Sequence, residues 1–161
     1  MYGRPSVAAL VFALICAAVS SCSKPVDLKQ AAEFTDVSSG WFDAGIQDGK
    51  NKLVPSVTFR IKQKGQADLS SLSLNVVFKI EGEEDHSDDV FVQRVDFSGD
   101  ATAPITVRSK FGYTGDPPQS RAEMLKNSQF RDMEAQIFAK QGSGQWVELY
   151  QAKIERQLLT Q

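Results

Sequence analysis

The chain has few of the residues from which catalytic and metal sites are usually built. Its 161 residues include two cysteines and one histidine, His86. A single histidine argues against a histidine-based metal site or nucleophilic triad, and no Gly-x-Ser-x-Gly sequence indicates a serine nucleophile. We therefore expect a protein that is not an enzyme, with no catalytic residue, no metal and no cofactor.

Positive charge is not in excess either. Lysine and arginine number 18 against 20 aspartates and glutamates, a net charge of −2. No cluster of basic residues interrupts this weakly acidic balance. Since nucleic acids and anionic lipids are recognised mainly through basic surfaces, the sequence argues against both as principal partners.

No apolar run is long enough to cross a bilayer. The longest, Val7 to Val19, has thirteen residues and follows a single charge at Arg4. A transmembrane helix needs about 20 apolar residues, whereas the apolar region of a signal peptide has about 7–15. We interpret residues 1–21 as a signal peptide.

The end of this run resembles the lipobox of bacterial lipoproteins. Val19 stands at the aliphatic position, Ser20 and Ser21 at the small positions, and Cys22 at the acceptor cysteine. Cys16 fits less well, because bulky residues precede it. An ordinary secretory peptide with a chance cysteine and an uncleaved anchor are the alternatives.

The resemblance implies that Cys22 receives a diacylglyceryl group and becomes the acylated amino terminus after cleavage. No other cysteine would remain in the mature chain, so no internal disulfide could form. Two or three acyl chains anchor a protein stably, where one does not. The residue after the acceptor cysteine is Ser23 rather than aspartate, which by the same resemblance implies sorting to the outer membrane of a Gram-negative cell. In a cell with a single membrane, the protein would be anchored to the outside of that membrane. We expect a cell-envelope protein attached to the membrane through Cys22.

The mature chain divides into a tether and one domain. Residues 22–32 are polar, with Pro25 near the start, and are interpreted as a lipidated tether. A short helix over residues 28–34 is the alternative. From residue 33 to residue 161, short apolar segments alternate with turn residues, which is typical of β structure.

Apolar residues at every second position predict the strands of this domain. The clearest strand runs from Leu72 to Ile80, with five apolar residues on one face, and we expect it at the centre of the core. A second strand spans residues 54–61, with Val57, Phe59 and Ile61 inward. Further strands are predicted at residues 34–46 (interrupted at Gly40), 91–97 (Phe91, Gln93, Val95 and Phe97 inward), 104–111, 131–140 and 145–158.

One short helix is predicted among these strands. Ser120 and Glu123 have the spacing of a capping box, which indicates a helix to about Lys126. Residues 112–119 are expected to be irregular. About seven strands and one short helix predict an all-β fold, an immunoglobulin-like β-sandwich.

Residues 57–107 resemble FxLYD-type domains, which are immunoglobulin-like modules of bacterial exported proteins. The similarity lies in Val57–Ile61, in Leu74–Phe78, and in Ser98-Gly99 followed by residues 103–107. The Tyr-Asp pair of that family is replaced here by Lys79 and Ile80. The resemblance implies an extracytoplasmic interaction module and carries over no catalytic residue.

Aromatic residues are the candidates for a binding site. Tyr113, between glycines in a predicted loop, is the first candidate, followed by Trp41 and Trp146, with Phe42 beside Trp41. The alternative for each is burial in the core of the sandwich.

The run from Glu81 to Asp89 contains six acidic residues and His86. We interpret it as a solvated connection between strands, with a Ca²⁺ site as the alternative.

Together these features predict a membrane-anchored envelope lipoprotein that acts as a protein-interaction or scaffolding module. Its partner would be another envelope protein. The alternative is a lipoprotein that binds a small ligand or a carbohydrate. An internal cavity lined by aromatic residues would favour the second function, whereas an exposed apolar patch would favour the first.

Overall fold

The structure is a computed structural model that describes residues 26–159. These residues form an all-β sandwich of two sheets, with eleven strands and two short helices. The prediction of an all-β sandwich is confirmed, although the strands are more numerous and several have only two to four residues. The predicted signal peptide and Cys22 lie outside the described residues.

A long antiparallel hairpin is the basis of the first sheet. Strand β1 (Ala32–Gln47) pairs with β2 (Lys50–Gln63) along most of its length. Asp48 and Gly49 connect them, with φ angles of +51° and +77°. Two consecutive residues with positive φ match the twist of a two-residue hairpin, and Asp-Gly is among the sequences that adopt it most easily.

Strand β1 is irregular at two places, neither of which is Gly40. Its pairing with β2 shifts between Thr35 and Ser38 and again between Asp43 and Ile46. Gly40 itself is paired with Ser56. A Cβ atom at Gly40 would lie 2.8 Å from Leu159 Cδ2 and 2.9 Å from the Gln157 carbonyl oxygen. The predicted interruption at Gly40 is therefore wrong, because glycine is needed there for the close approach of the C-terminal segment.

Five short strands complete the first sheet. The C-terminal β11 (Leu158–Leu159) pairs in parallel with β1. Strands β6 (Ala101–Thr102), β7 (Ile105–Arg108) and β8 (Tyr113–Gly115) pair with successive parts of β2, and β5 (Phe97–Ser98) pairs with β6.

The second sheet has four antiparallel strands. Their order is β10 (Val147–Lys153), β9 (Met133–Gln141), β3 (Leu72–Ile80) and β4 (His86–Val92). Strand β3 lies between β9 and β4, as its apolar alternation predicted. Leu72, Leu74, Val76 and Phe78 are fully buried on its inner face.

The core lies between the two sheets. Sheet one contributes Val57, Phe59 and Ile61 of β2, all fully buried. Sheet two contributes the inner faces of β3 and β9, where Ala135, Ile137 and Ala139 are fully buried. The period-two pattern therefore identified both inner faces correctly.

The predicted strand at residues 91–97 differs from the structure in extent and partly in face: Val95 and Phe97 pack into the core as predicted, whereas Phe91 and Gln93 are exposed. Strand β4 ends at Val92, and its Val90 and Val92 pack against the core. Phe91 points outward with 53% of its surface exposed. The segment contains apolar residues in both phases, so alternation alone could not select the inner face.

The C-terminal residues do not continue along one sheet. After β10 the chain leaves the second sheet, and β11 joins the first. Residues 112–119, expected to be irregular, contain the short strand β8.

The two helices cover the ends of the core. Helix α1 (Leu28–Ala31) buries both Leu28 and Ala31, so residues 28–32, assigned to the tether, form part of the folded domain. Helix α2 (Arg121–Lys126) begins with the predicted capping box. The Ser120 backbone N–H donates to Glu123 Oε2 at 2.7 Å, and the Glu123 N–H donates to Ser120 Oγ at 3.2 Å. Within residues 26–159, neither helix is long and apolar enough to cross a membrane.

Candidate functional site

Two of the three candidate aromatic residues lie together. The ring centroid of Phe130 lies 4.6 Å from that of Trp41 and 4.8 Å from that of Tyr113. Trp41 is 1% exposed and belongs to the core, whereas Tyr113 is partly buried. Phe130 was not singled out in the sequence, because it lies in a polar stretch without strand periodicity.

Trp41 and Tyr113 border a cavity of about 250 Å³ between the ends of the two sheets. Trp41 and Tyr113 of the first sheet and Ile80 and Met133 of the second line it. We call this space the aromatic cavity. Its remaining lining consists of Ser87, Phe111, Gly112, Gln129 and Arg131.

One side of the aromatic cavity is formed by residues 109–113. Asp88 on β4 reaches across from the other sheet, and its Oδ2 accepts hydrogen bonds from Ser109 Oγ at 2.9 Å and from the Lys110 N–H at 2.7 Å. At Gly112 a Cβ atom would lie 1.9 Å from the Leu53 carbonyl oxygen. The hydrogen bonds to Asp88 and the absence of a side chain at Gly112 hold residues 109–113 between the sheets. In this position Phe111 is 63% exposed.

The segment from residue 127 to residue 132 forms the other side. Arg156 Nε donates to Asp132 Oδ1 at 2.6 Å, and its Nη2 donates to the Phe130 carbonyl oxygen at 3.1 Å. This hydrogen bond from Arg156 lowers the pKa of the Asp132 carboxyl below its ordinary value of 3.8, although partial burial opposes the shift. The guanidinium also lies 5.1 Å from the centre of the Phe130 ring. One C-terminal arginine thus positions Phe130.

The acidic run has structural partners that the sequence did not reveal. Glu81 is 3.0 Å from Lys153 Nζ, and their hydrogen bond raises the pKa of that ammonium. Glu83 is 2.6 Å from Arg131 Nη1. Asp88 alone departs from the predicted solvated connection, because it is buried and hydrogen-bonded, whereas Glu81 and Glu83 keep 48% and 40% of their side-chain surface exposed.

The rest of the run is exposed. Glu84, Asp85, His86 and Asp89 lie at the surface. Within residues 26–159, no group of three or more His, Cys, Asp or Glu side chains is arranged to hold a metal ion.

The third candidate, Trp146, lies elsewhere, on the outer face of the second sheet. Its ring meets that of Phe91 edge-on, with centroids 5.9 Å apart, and Lys140 Nζ lies 4.9 Å from its centre. Phe91 on β4 pairs with Asn75 on β3, and Asn75 pairs in turn with Phe138 on β9. We call Phe91 and Trp146, with their neighbours Phe138 and Lys140, the aromatic patch.

The aromatic patch is exposed in spite of its apolar character. Phe91 is 53% and Trp146 is 41% accessible to solvent. Beside them, the Asn75 side-chain oxygen is buried and accepts no hydrogen bond from residues 26–159. Trp146 was named from the sequence; Phe91 was assigned to the core and therefore missed.

The fold and these two sites define an all-β sandwich with an aromatic cavity at one end and an aromatic patch on one face. No protein-family model matches the chain, nor does any curated protein or solved structure.

Proposed function

We propose that the protein is a membrane-anchored envelope lipoprotein that acts as a non-enzymatic protein-interaction module, and that the aromatic patch contacts its partner. The observation that carries this proposal is the exposed pair Phe91 and Trp146. Tryptophan and other aromatic residues are enriched at protein interfaces, where a few of them contribute most of the binding free energy. The resemblance of residues 57–107 to FxLYD-type domains implies the same kind of role.

The position of the patch fits a partner in the same membrane. Phe34 near the start of β1 stacks on Tyr150 of β10 at 5.0 Å, so helix α1 lies level with the start of β10. Trp146 directly precedes β10 and therefore lies toward the same end. Residues 22–28 span at most about 20 Å when fully extended. Lipidation at Cys22 would thus keep the patch close to the bilayer and to other proteins anchored there.

Site-specific photocrosslinking in intact cells tests this function. A photoreactive amino acid is placed at Phe91 or Trp146, and at the exposed Thr106 on the other sheet as the matched control. We expect one protein adduct of constant mass from positions 91 and 146 and none from position 106. Lipid adducts alone, or equal adducts from all three positions, would contradict the proposal.

A second candidate function is the binding of a small ligand, and the aromatic cavity is the observation that favours it. The cavity is partly enclosed and lined mainly by apolar and aromatic side chains, as ligand sites usually are. From Ala32 to Trp41 strand β1 advances about 30 Å. The cavity therefore lies toward the end of the sandwich opposite helix α1, and its lining residue Ser87 is about 13 Å from Phe91 along β4.

A further inference from the structure

An open groove lies between helix α2 and the C-terminal segment, and it shares no lining residue with the aromatic cavity. Its volume is about 580 Å³, which is within the range of about 300–1,000 Å³ for small-molecule sites. We call it the helix groove. Its lining residues are Ala122, Leu125 and Lys126 of α2, with Arg156, Gln157 and Leu158 of the C-terminal segment.

Both walls of the helix groove are held by the fold itself. Helix α2 is fixed by its capping box and by the buried side chains of Met124 and Leu125. On the other wall, the Gln157 carbonyl oxygen accepts a hydrogen bond from the Trp41 N–H, and Gln157 Nε2 donates to the Ser39 carbonyl oxygen, both at 2.8 Å. A ligand would therefore enter a preformed groove and would not have to order either wall.

Part of the lining is apolar and open to solvent. Leu158 is 38% exposed, and Ala122 on helix α2 is exposed as well. Covering these side chains with an aliphatic chain would remove apolar surface from water, which is favourable in proportion to the area covered. The apolar part of the groove therefore favours a ligand with an aliphatic chain.

The charged residues of the lining are both cations, Lys126 and Arg156. Lys126 forms no ion pair within residues 26–159. Arg156 is paired with Asp132 at 2.6 Å, but its side chain is still 41% exposed, and a guanidinium has more N–H donors than its hydrogen bonds here use. The acid of α2, Glu123, accepts the Ser120 N–H at the start of the helix. The lining is thus complementary to an anion.

We propose that the helix groove binds a fatty acid, with its aliphatic chain on Leu158 and its carboxylate paired with Lys126 and Arg156. Hydrogen bonds between a carboxylate and such cations are among the stronger ones in proteins. A ligand with a single charge matches the lining, because Lys126 is its one cation without an acidic partner among the described residues. The inference goes beyond the function proposed above, since it uses neither the aromatic patch nor the aromatic cavity.

Three eight-carbon compounds with different head groups test the role of charge. The sample is the ¹⁵N-labelled soluble domain of residues 23–161, which includes every described element and the whole core. We expect octanoate to shift the amide signals of residues 122–126 and 156–158 saturably. 1-Octanol should bind at least about fivefold more weakly, because it lacks the charge-assisted hydrogen bonds, and octyltrimethylammonium should give no saturable shift there.

Equal affinity for octanoate and 1-octanol would overturn the role of the cations. No saturable shift with octanoate, or shifts confined to residues outside the groove, would overturn the site itself.

Hexanoate tests the apolar part of the groove. It has two methylenes fewer than octanoate and should bind about four- to sixteenfold more weakly, since each buried methylene contributes about two- to fourfold. Equal affinity for hexanoate and octanoate would overturn the placement of the chain on Leu158.

A matched pair of lysine variants locates the carboxylate. Lys126 and Lys29 are exposed lysines in the last turns of the two short helices. Lys126→Met should weaken octanoate binding about three- to fivefold, the effect of one exposed ion pair, whereas Lys29→Met should leave it unchanged. Both substitutions are at the surface, so the domain should fold. Equal octanoate affinity in the two variants would contradict the location. The photocrosslinking experiment does not involve the helix groove, so either proposal can fail without the other.

Discussion

At the scale of single residues, the contribution of a side chain depends on whether it lies on the inner or the outer face. Phe78 and Phe91 are both strand phenylalanines, yet Phe78 is fully buried and Phe91 is 53% exposed. The first stabilises the fold, whereas the second is free to contact a partner. Asp88 and Asp89 show the same contrast among charged residues, since Asp88 is buried and hydrogen-bonded and Asp89 is exposed.

We expect Phe78→Ala to reduce the free energy of unfolding of the soluble domain by about 3–5 kcal/mol, because it removes buried apolar surface and leaves a cavity. Urea denaturation followed by circular dichroism measures the change. Val77→Ala, on the partly exposed outer face of the same strand, is the control and should cost under about 1 kcal/mol. Equal losses for the two variants would show that the assignment of faces is wrong.

We expect Asp88→Ala to reduce the free energy of unfolding by about 3 kcal/mol. The carboxylate accepts two hydrogen bonds between the sheets, and bonds to charged groups contribute about 1.5–3 kcal/mol each. Asp89→Ala is the neighbouring control, with an expected change within about 0.5 kcal/mol. Urea midpoints compare them, and an Asp88→Ala protein as stable as Asp89→Ala would refute the linking role.

At the scale of elements, segments distant in sequence build the aromatic cavity. The connection between α2 and β9 supplies the lining residues Gln129 and Arg131. It also supplies Phe130, which packs on Trp41 and Tyr113 and which Arg156 holds through Asp132 and the Phe130 carbonyl. The connection after β3 contributes the ion pair between Glu83 and Arg131. The walls of the cavity therefore combine strand ends with loops, and polar contacts hold the loops in position.

The Asp132–Arg156 pair predicts a dependence of stability on pH. Because the folded-state pKa of Asp132 is lowered, its contribution is present above the ordinary value of 3.8 and is lost as pH falls through the lower folded value. Arg156→Met should therefore be less stable than the wild type at pH 7, and this difference should narrow below about pH 4.

Urea midpoints at pH 7, 5 and 3 measure this effect at low ionic strength, because salt screens partly exposed pairs. Arg94→Met is the control, since Arg94 is exposed and forms no ion pair within residues 26–159. A difference between wild type and Arg156→Met that stays constant from pH 7 to pH 3 would refute the role of the ionised carboxylate.

At the scale of the whole molecule, the proposed anchor and the two sites have a defined order along the sandwich. Helix α1 lies at the end nearest residue 22, the aromatic patch lies toward that end, and the aromatic cavity lies about 30 Å along β1.

We expect Cys22→Ser to abolish lipidation, because the thiol is the proposed site of attachment. Metabolic labelling with an alkyne fatty acid, followed by fluorescent detection on a gel, measures it. Cys16→Ser is the control and should label like the wild type. Label on Cys22→Ser equal to that of the wild type would contradict the lipobox interpretation.

The sequence by itself determined the class of fold and most of its elements. Alternation of apolar residues along β2, β3 and β9, the Asp48-Gly49 turn and the capping box at Ser120 all depend on residues within a few positions of one another. Backbone geometry and burial act on each such segment separately, so their patterns can be read along the chain.

Only the tertiary structure decided which aromatic residues are exposed and which acids are engaged. Phe91 lies on one edge strand of the second sheet, β4, and meets Trp146, which precedes the other edge strand, β10. Asp88 accepts a hydrogen bond from Ser109, and the Phe130 carbonyl accepts one from Arg156. These contacts join residues more than twenty positions apart, and no local pattern encodes them. The segment around Phe91 is apolar in both phases, so packing between the sheets determined that Phe91 lies on the outer face. The position of the aromatic patch follows from that choice.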